Sequence, residues 1–241
     1  MNFFIAAVGA LLTYAQTASA IPTQVDPSLR TVEINNRMSS VERRVREAAV
    51  KIVSSSGGHG SGSIVQYKDL QLVLTAQHIT RDLVGTRYRI IRNNEIRVAT
   101  LIYSNEPHDI AVLLVEIPWD QGAIRWAPSE QVAQVGDAIT YSGYPSFHSL
   151  MSFRGRVVGY EMASDGSLHI MLHTYGYFGC SGSVVYNEAA QIVGILWGID
   201  TGRNSVPVED MIWVSPIQNL NIELALRSAC NALNNEPRAC R

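Results

Sequence analysis

Ser181 stands in the run Gly179-Cys180-Ser181-Gly182-Ser183. A serine hydroxyl attacks an acyl bond at neutral pH only when a nearby base takes its proton and a carboxylate orients that base. Glycines on either side of such a serine permit a tight turn with dihedrals closed to other residues. That turn presents Oγ and aims backbone N–H groups at one point. The amides of Gly179 and Ser181 would then form an oxyanion hole, at roughly 3 kcal/mol per donor. His78 closes Leu74-Thr75-Ala76-Gln77-His78, and Asp109 opens Asp109-Ile110-Ala111-Val112-Leu113-Leu114-Val115. Taken singly, His78 reads equally well as a structural histidine and Asp109 as a turn residue. Together, in the order His, Asp, Ser and each at the edge of an apolar segment, they are the set that nucleophilic acyl hydrolysis requires. No Cys-x-x-Cys pair occurs, and no metal ligand or cofactor is expected.

The elements that must hold these residues are short. From residue 49 to about residue 214 the pattern is strand, turn, strand: Val50–Val53, Gly62–Tyr67, Leu72–Thr75, Tyr88–Arg92, Ile96–Tyr103 around Asn93-Asn94, Ile110–Ile117, Ala138–Tyr141, Arg156–Glu161, Leu168–His173, Ser183–Tyr186 and Ile192–Leu196. Such a succession favours antiparallel barrels or sandwiches over alternating strands and helices. The glycine loop from Gly57 to Gly62 lacks the Gly-Lys-Ser/Thr ending of a phosphate loop. It reads as a hairpin with close backbone packing, and His59 as a loop histidine. The 241 residues are 46% hydrophobic and 17% charged, with 18 glycines and a net charge of −2. That composition excludes a disordered chain and leaves room for a sizeable core. The near-neutral balance argues against nucleic acid as a partner.

The ends read differently. Phe3 to Leu12 are almost wholly apolar and lead to Ala18-Ser19-Ala20, the pattern of a secretory signal over residues 1–20. The alternative is an uncleaved anchor, the one route to a membrane in this sequence. Residues 21–48 read as a leader and a short helix: Ser39-Ser40-Val41-Glu42 has the form of a capping box, and Val41, Val45, Ala48, Ala49 and Ile52 follow at helical spacing. A second helix is expected over Ser215–Leu233, with Pro216 in its first turn. Cys230 and Cys240 are placed to close a short loop if the chain is exported, which leaves Cys180 unpaired.

Six motifs, in order, carry a resemblance to the chymotrypsin/trypsin-like serine peptidases over residues 49–224. Thr75-Ala76-Gln77-His78, His108-Asp109-Ile110-Ala111-Val112-Leu113 and Gly179-Cys180-Ser181-Gly182-Ser183 resemble the histidine, aspartate and nucleophile motifs. Val193-Gly194-Ile195-Leu196-Trp197-Gly198 resembles the strand beside the primary pocket, and Gly136-Asp137 with Gly143-Tyr144-Pro145 resembles a strand pair of HtrA-like members. The resemblance implies an all-β fold of two six-stranded antiparallel β-barrels with a C-terminal helix, the site lying between them. It implies a serine endopeptidase acting on protein or peptide, with His78 as base, Asp109 as orienting carboxylate and Ser181 as nucleophile. By the same analogy Tyr175 lies near the base of the primary pocket, where it either fills the space or offers its hydroxyl, and Trp197 and Gly198 form a wall. Cys180 replaces the Asp that secreted trypsins carry before the nucleophile, so activation by a newly cut amino terminus is not implied. It reads as a packed thiol. Residues 225–241 form a tail outside the resemblance. A secreted or periplasmic enzyme is expected, membrane-anchored if the first segment is kept. The alternatives are an inactive homologue serving as a binding module and a viral protease that processes its own polyprotein.

Overall fold

Two asparagines illustrate how the turns set the strand register. Asn93 and Asn94 both take positive φ (48° and 64°), the geometry of a two-residue hairpin whose twist matches the strands it joins. They connect strands β4 (Arg87–Arg92) and β5 (Glu95–Asn105), paired from Arg92–Glu95 outward. The computed structural model describes residues 37–232, apart from residues 56, 147, 164–165 and 202–205. The expected signal of residues 1–20 and the leader as far as residue 36 lie outside the described residues, as does Cys240. The described residues from Met38 onward belong to one compact unit.

Strands β1 (Ala49–Val53), β2 (His59–Tyr67), β3 (Leu70–Thr75), β4, β5 and β6 (Ile110–Val115) form the first barrel, in the order β1-β4-β5-β6-β3-β2 and closed by the β1–β2 pairing. The two-residue strand β7 (Ile124–Arg125) runs parallel to the far end of β2, beyond the stretch that β1 covers. The second barrel closes β8 (Ala138–Gly143), β9 (Met151–Met162), β10 (Leu168–His173), β11 (Val184–Asn187), β12 (Ile192–Thr201) and β13 (Pro207–Pro216) in the order β10-β13-β12-β11-β8-β9. These are the two six-stranded antiparallel barrels expected from the motifs.

Every residue of β3 is buried, unlike the half-solvated alternation of an ordinary antiparallel strand. The reason is a third apolar layer. Val73, Ile64, Ala111 and Leu113 fill the first barrel. Leu72, Leu74, Val65, Ile110 and Val112 point the other way and meet Val184, Tyr186, Ile192 and Ile195 of the second barrel. Ile139, Tyr141, Ile170, Leu172, Val185, Val193 and Ile212 fill the second barrel. Each fully buried Leu or Ile in this layer contributes about 1.5–3 kcal/mol, so the middle layer fixes how the barrels face each other.

Both α-helices among the described residues join that layer. Helix α1 (Ser40–Ala48) begins with the expected capping box: Ser39 Oγ accepts from the Glu42 amide at 3.2 Å, and the Glu42 carboxylate accepts from the Ser39 amide at 2.6 Å. It stops at Ala48, and Ala49 and Ile52, expected to continue it, belong to β1. The sequence Ala49-Val50-Lys51-Ile52-Val53 carries β-branched residues that pair with β2 and β4 instead. The helix expected over 215–233 is also corrected. Residues 207–216 form β13, Ile217–Asn219 make one 3₁₀ turn, and helix α2 runs Ile222–Ala232. Asn221 caps it, its Oδ1 accepting from the Leu224 amide at 2.9 Å. Ser215 and Pro216 pair with Ile195 and Gly194 of β12, and that ladder outweighs the local helical pattern. Cys230 is disulfide-bonded.

Glu42 does a second task. Its carboxylate takes the Arg154 guanidinium of β9 through both Nε and Nη2, the latter at 2.6 Å. This ion pair is the main cause that lowers the Glu42 pKa to about 2, against burial, which raises it. A carboxylate with a depressed folded-state pKa stabilises above its unfolded value and loses that contribution as pH falls through the folded value. Thermal melts of wild type and Glu42→Gln should therefore differ most at neutral pH, by about 1–3 kcal/mol, and converge between pH 4.5 and about 2. Equal melting at pH 7 would contradict a stabilising pair.

Candidate active site

Strands β3 and β6 are antiparallel neighbours, with Thr75 opposite Ala111. That register brings the residues just after β3 beside those just before β6. His78 sits in a 3₁₀ turn, Gln77–Ile79, and Asp109 in the turn preceding β6 at φ +50°, a left-handed value that Asp tolerates. Asp109 Oδ2 meets His78 Nδ1 at 2.6 Å, Oδ1 accepts from the His78 amide at 2.7 Å, and the Asp109 carbonyl accepts from the Gln77 amide at 3.2 Å. A carboxylate only accepts, so Nδ1 carries the proton and Nε2 of the neutral ring keeps its lone pair. That is the tautomer a general base needs.

The turn from Tyr177 to Ser183 carries the candidate nucleophile. Gly182 has φ +89°, and a Cβ there would lie 2.1 Å from the Ser61 carbonyl oxygen and 2.2 Å from Thr75 Oγ1. Gly179 has φ +95°, and its Cβ would lie 2.4 Å from the Tyr144 carbonyl oxygen. Both flanking glycines are thus required by conformation and by space. The amides of Cys180, Gly182 and Ser183 donate to the carbonyls of Tyr177, Leu196 and Cys180 at 2.7–2.9 Å. Among the described residues, the amides of Gly179 and Ser181 have no acceptor. Two unpaired donors in the turn that carries a serine are what an oxyanion hole needs. Ser183 Oγ occupies the space a Cβ would take at Gly143, which ties the nucleophile motif to the Gly143-Tyr144-Pro145 segment.

Ser181 Oγ donates to the Trp197 carbonyl over 3.5 Å, the outer limit of a hydrogen bond, and has no bond to His78. In unliganded sites such bonds are often long or unformed and tighten when substrate arrives. Cys180 points into the second barrel, fully buried and free, and burial raises its thiol pKa. A neutral, enclosed thiol is a poor nucleophile.

A cleft of about 890 Å³ lies between the barrels. His78, Asp109, Arg81 and Glu106 line it from the first barrel, and His169 and Trp197 from the second. Sequence reasoning missed His169. Its ring lies 5.0 Å from that of Trp197, and its Nδ1 accepts from Trp197 Nε1–H at 3.1 Å. His169 is buried in β10 within the continuous buried run His169–Leu172, so no alternation along the strand marks it. His169 and His173 stand at His-x-x-x-His spacing, but on a strand, with His173 Nε2 turned to Asp210 at 3.5 Å. Among the described residues no three His, Cys, Asp or Glu side chains are grouped to hold a metal. His59 opens β2 and its Nε2 donates to the Tyr144 carbonyl at 3.0 Å. Tyr175 lies outside the cleft lining: its ring leans on Phe153, with 5.4 Å between centroids. The next residue, Gly176, is closed in by Ile212 and Ile199. Gly198 pairs with Trp213 at a register shift between β12 and β13.

A family model of the trypsin-like peptidase domain matches residues 60–195, more than half of the chain. The fold is similar to that of Rv3671c from M. tuberculosis H37Rv in the inactive form of a serine-to-alanine mutant. That match has 16% identity and a TM-score of 0.60, and covers 88% of this chain and 96% of that one. The active form of the M. tuberculosis protease matches at 18% identity and a TM-score of 0.59, over 87% and 90% of the two chains. The serine endoprotease from Yersinia pestis matches at 20% identity and a TM-score of 0.60, over 74% of this chain and 62% of that one. At these identities the likeness is one of fold. No curated relative matches by sequence.

Proposed function

The chain belongs to the trypsin-like peptidase family, and from that premise we propose that this serine endopeptidase works through Ser181, His78 and Asp109. The observation that carries the reading is the Asp109 carboxylate bound to both the ring and the backbone of His78, which leaves Nε2 free to take a proton. His78 takes the Ser181 proton as Oγ attacks the scissile carbonyl, and the developing oxyanion accepts from the Gly179 and Ser181 amides. His78 then protonates the leaving amine, an acyl-enzyme forms on Ser181, and water reverses the sequence to release the acid. No cofactor enters these steps.

The substrate we propose is an extended peptide lying along the cleft. The ground beside Tyr175 is taken up by Ile212 and Ile199 against Gly176, which supports a shallow apolar pocket rather than one for Lys or Arg. The apolar run at residues 3–12 supports work outside the cytoplasm, free or anchored. A library of internally quenched peptides tests both activity and preference. Cleavage after small uncharged residues is expected, at least about tenfold faster than after Lys or Arg, the discrimination a misfitted pocket supplies. A preference for Lys or Arg would contradict the pocket. No cleavage of any peptide would favour the inactive binding module.

A further inference from the structure

Trp197 stands at an irregular point of its strand. The β12–β13 register passes from Leu196–Val214 directly to Gly198–Trp213, so Trp197 is the extra residue of a bulge. A bulge re-aims a side chain and leaves it outside the regular ladder. Trp197 is half-buried and lines the cleft that also holds His78 and Asp109. Its carbonyl faces Ser181 Oγ at 3.5 Å. The direction of its ring is therefore set by what the indole touches, at a place where a peptide reaching Ser181 must pass.

What it touches is His169. The indole Nε1–H donates to His169 Nδ1 at 3.1 Å, and the two ring centroids lie 5.0 Å apart. An indole nitrogen only donates, so Nδ1 keeps its lone pair and the ring proton sits on Nε2. That nitrogen bonds Ser167 Oγ at 3.1 Å. Trp213 closes the group, edge-on to His169 and tilted against Trp197, each at 6.1 Å. His169 is buried in β10, a strand paired on both sides, to β9 and β13. A fixed, buried acceptor thus meets the one donor of a ring on an irregular stretch of backbone. His169 carries the opposite tautomer to His78, and so takes up a donor instead of offering one.

We propose that His169 is a positioning residue for substrate: its Nδ1 holds the Trp197 indole back as a wall of the peptide cleft. This depends on the Ser181 reading above. Without the acceptor, the indole N–H must find water, and the nearest water lies in the cleft. A ring turned that way obstructs the peptide before and during reaction alike, so the effect falls on KM and not on kcat.

The test compares two substrates. An internally quenched peptide lies along the cleft, whereas p-nitrophenyl acetate delivers an acetyl group to Ser181 and reaches no further. His169→Phe keeps the ring and loses the acceptor. It is expected to raise the peptide KM roughly 3- to 10-fold, the range of one hydrogen bond, with kcat within about twofold. Hydrolysis of p-nitrophenyl acetate stays at the wild-type rate. His169→Asn, whose Oδ1 stands the same number of bonds from Cα as Nδ1, restores most of the peptide KM. Trp197→Phe lacks the N–H and raises the peptide KM at least as much, and adding His169→Phe costs less than about twofold more. An unchanged peptide KM in His169→Phe, an equal loss on p-nitrophenyl acetate, or no recovery in His169→Asn overturns the proposal. If His169→Phe does not fold, Trp197→Phe breaks the same bond from the other side, and an unchanged peptide KM there overturns it equally. Fluorophosphonate labelling of Ser181 in the wild type is read in parallel. Its absence overturns the nucleophile reading, whereas labelled Ser181 with unaffected His169 variants overturns only the role of His169.

Discussion

Ser181→Ala is expected to lower kcat by about 10⁶-fold while leaving the melting temperature within about 2 °C of wild type. The two halves have separate causes. In the proposed mechanism the Ser181 hydroxyl forms the covalent acyl intermediate, and removing the nucleophile of a coupled triad costs nearly the whole of its advantage. The fold is indifferent because Ser181 Oγ makes just one long contact, 3.5 Å to the Trp197 carbonyl. The turn is held by its backbone, through the Ser61 amide on Ser181 O and the Gly182 amide on Leu196 O. Alanine keeps all of these bonds. Peptide turnover with a parallel thermal melt measures both. Residual activity above about 1% of wild type would mean that another group attacks, since an intact triad is worth orders of magnitude more.

Asp109→Asn has the second-largest effect, a loss of about 10⁴ in kcat at neutral pH. Asp109 accepts two N–H groups from one histidine, the ring Nδ1–H at 2.6 Å and the backbone amide at 2.7 Å. An amide side chain has one acceptor oxygen. If it serves the backbone, its NH₂ group faces the ring and forces Nδ1 to accept, which puts the proton on Nε2 where the base must be empty. The φ of +50° at this position suits Asn as well as Asp, so the turn survives and the loss reads the tautomer. Steady-state kinetics with circular dichroism separates the two. A loss of less than tenfold would mean that His78 is not oriented by this carboxylate.

Much of this site was legible because its residues fall at strand ends. Thr75-Ala76-Gln77-His78 and Asp109-Ile110 are recognisable in sequence, and one pairing, Thr75 with Ala111, makes them neighbours. Gly179 and Gly182 were legible as turn residues, but the reason they are obligatory was not. It lies in the Tyr144 carbonyl, Ser61 and Thr75, all distant in sequence. Ser61 itself was illegible, since a serine between Gly60 and Gly62 reads as a hairpin and nothing local marks its hydrogen bond to the Gly179 carbonyl. β13 was missed because Pro207, Glu209 and Asp210 suggest a loop, and because Ile217, Leu220 and Ile222 share one apolar side with the helix that follows. Only the long-range ladder to β12 separates the strand from the helix. The doubly buried strands β3 and β6 likewise owe their continuous apolar pattern to a second barrel that no local window contains.

The most direct test of the central claim is to label the protein with a fluorophosphonate and identify the modified residue by peptide mass spectrometry. The reagent reports a serine made nucleophilic by its base and an adjacent oxyanion hole. One adduct on Ser181 is expected, formed by wild type and not by Ser181→Ala, and strongly slowed in Asp109→Asn. An adduct on any other residue, or none on a folded wild-type protein, would contradict the account.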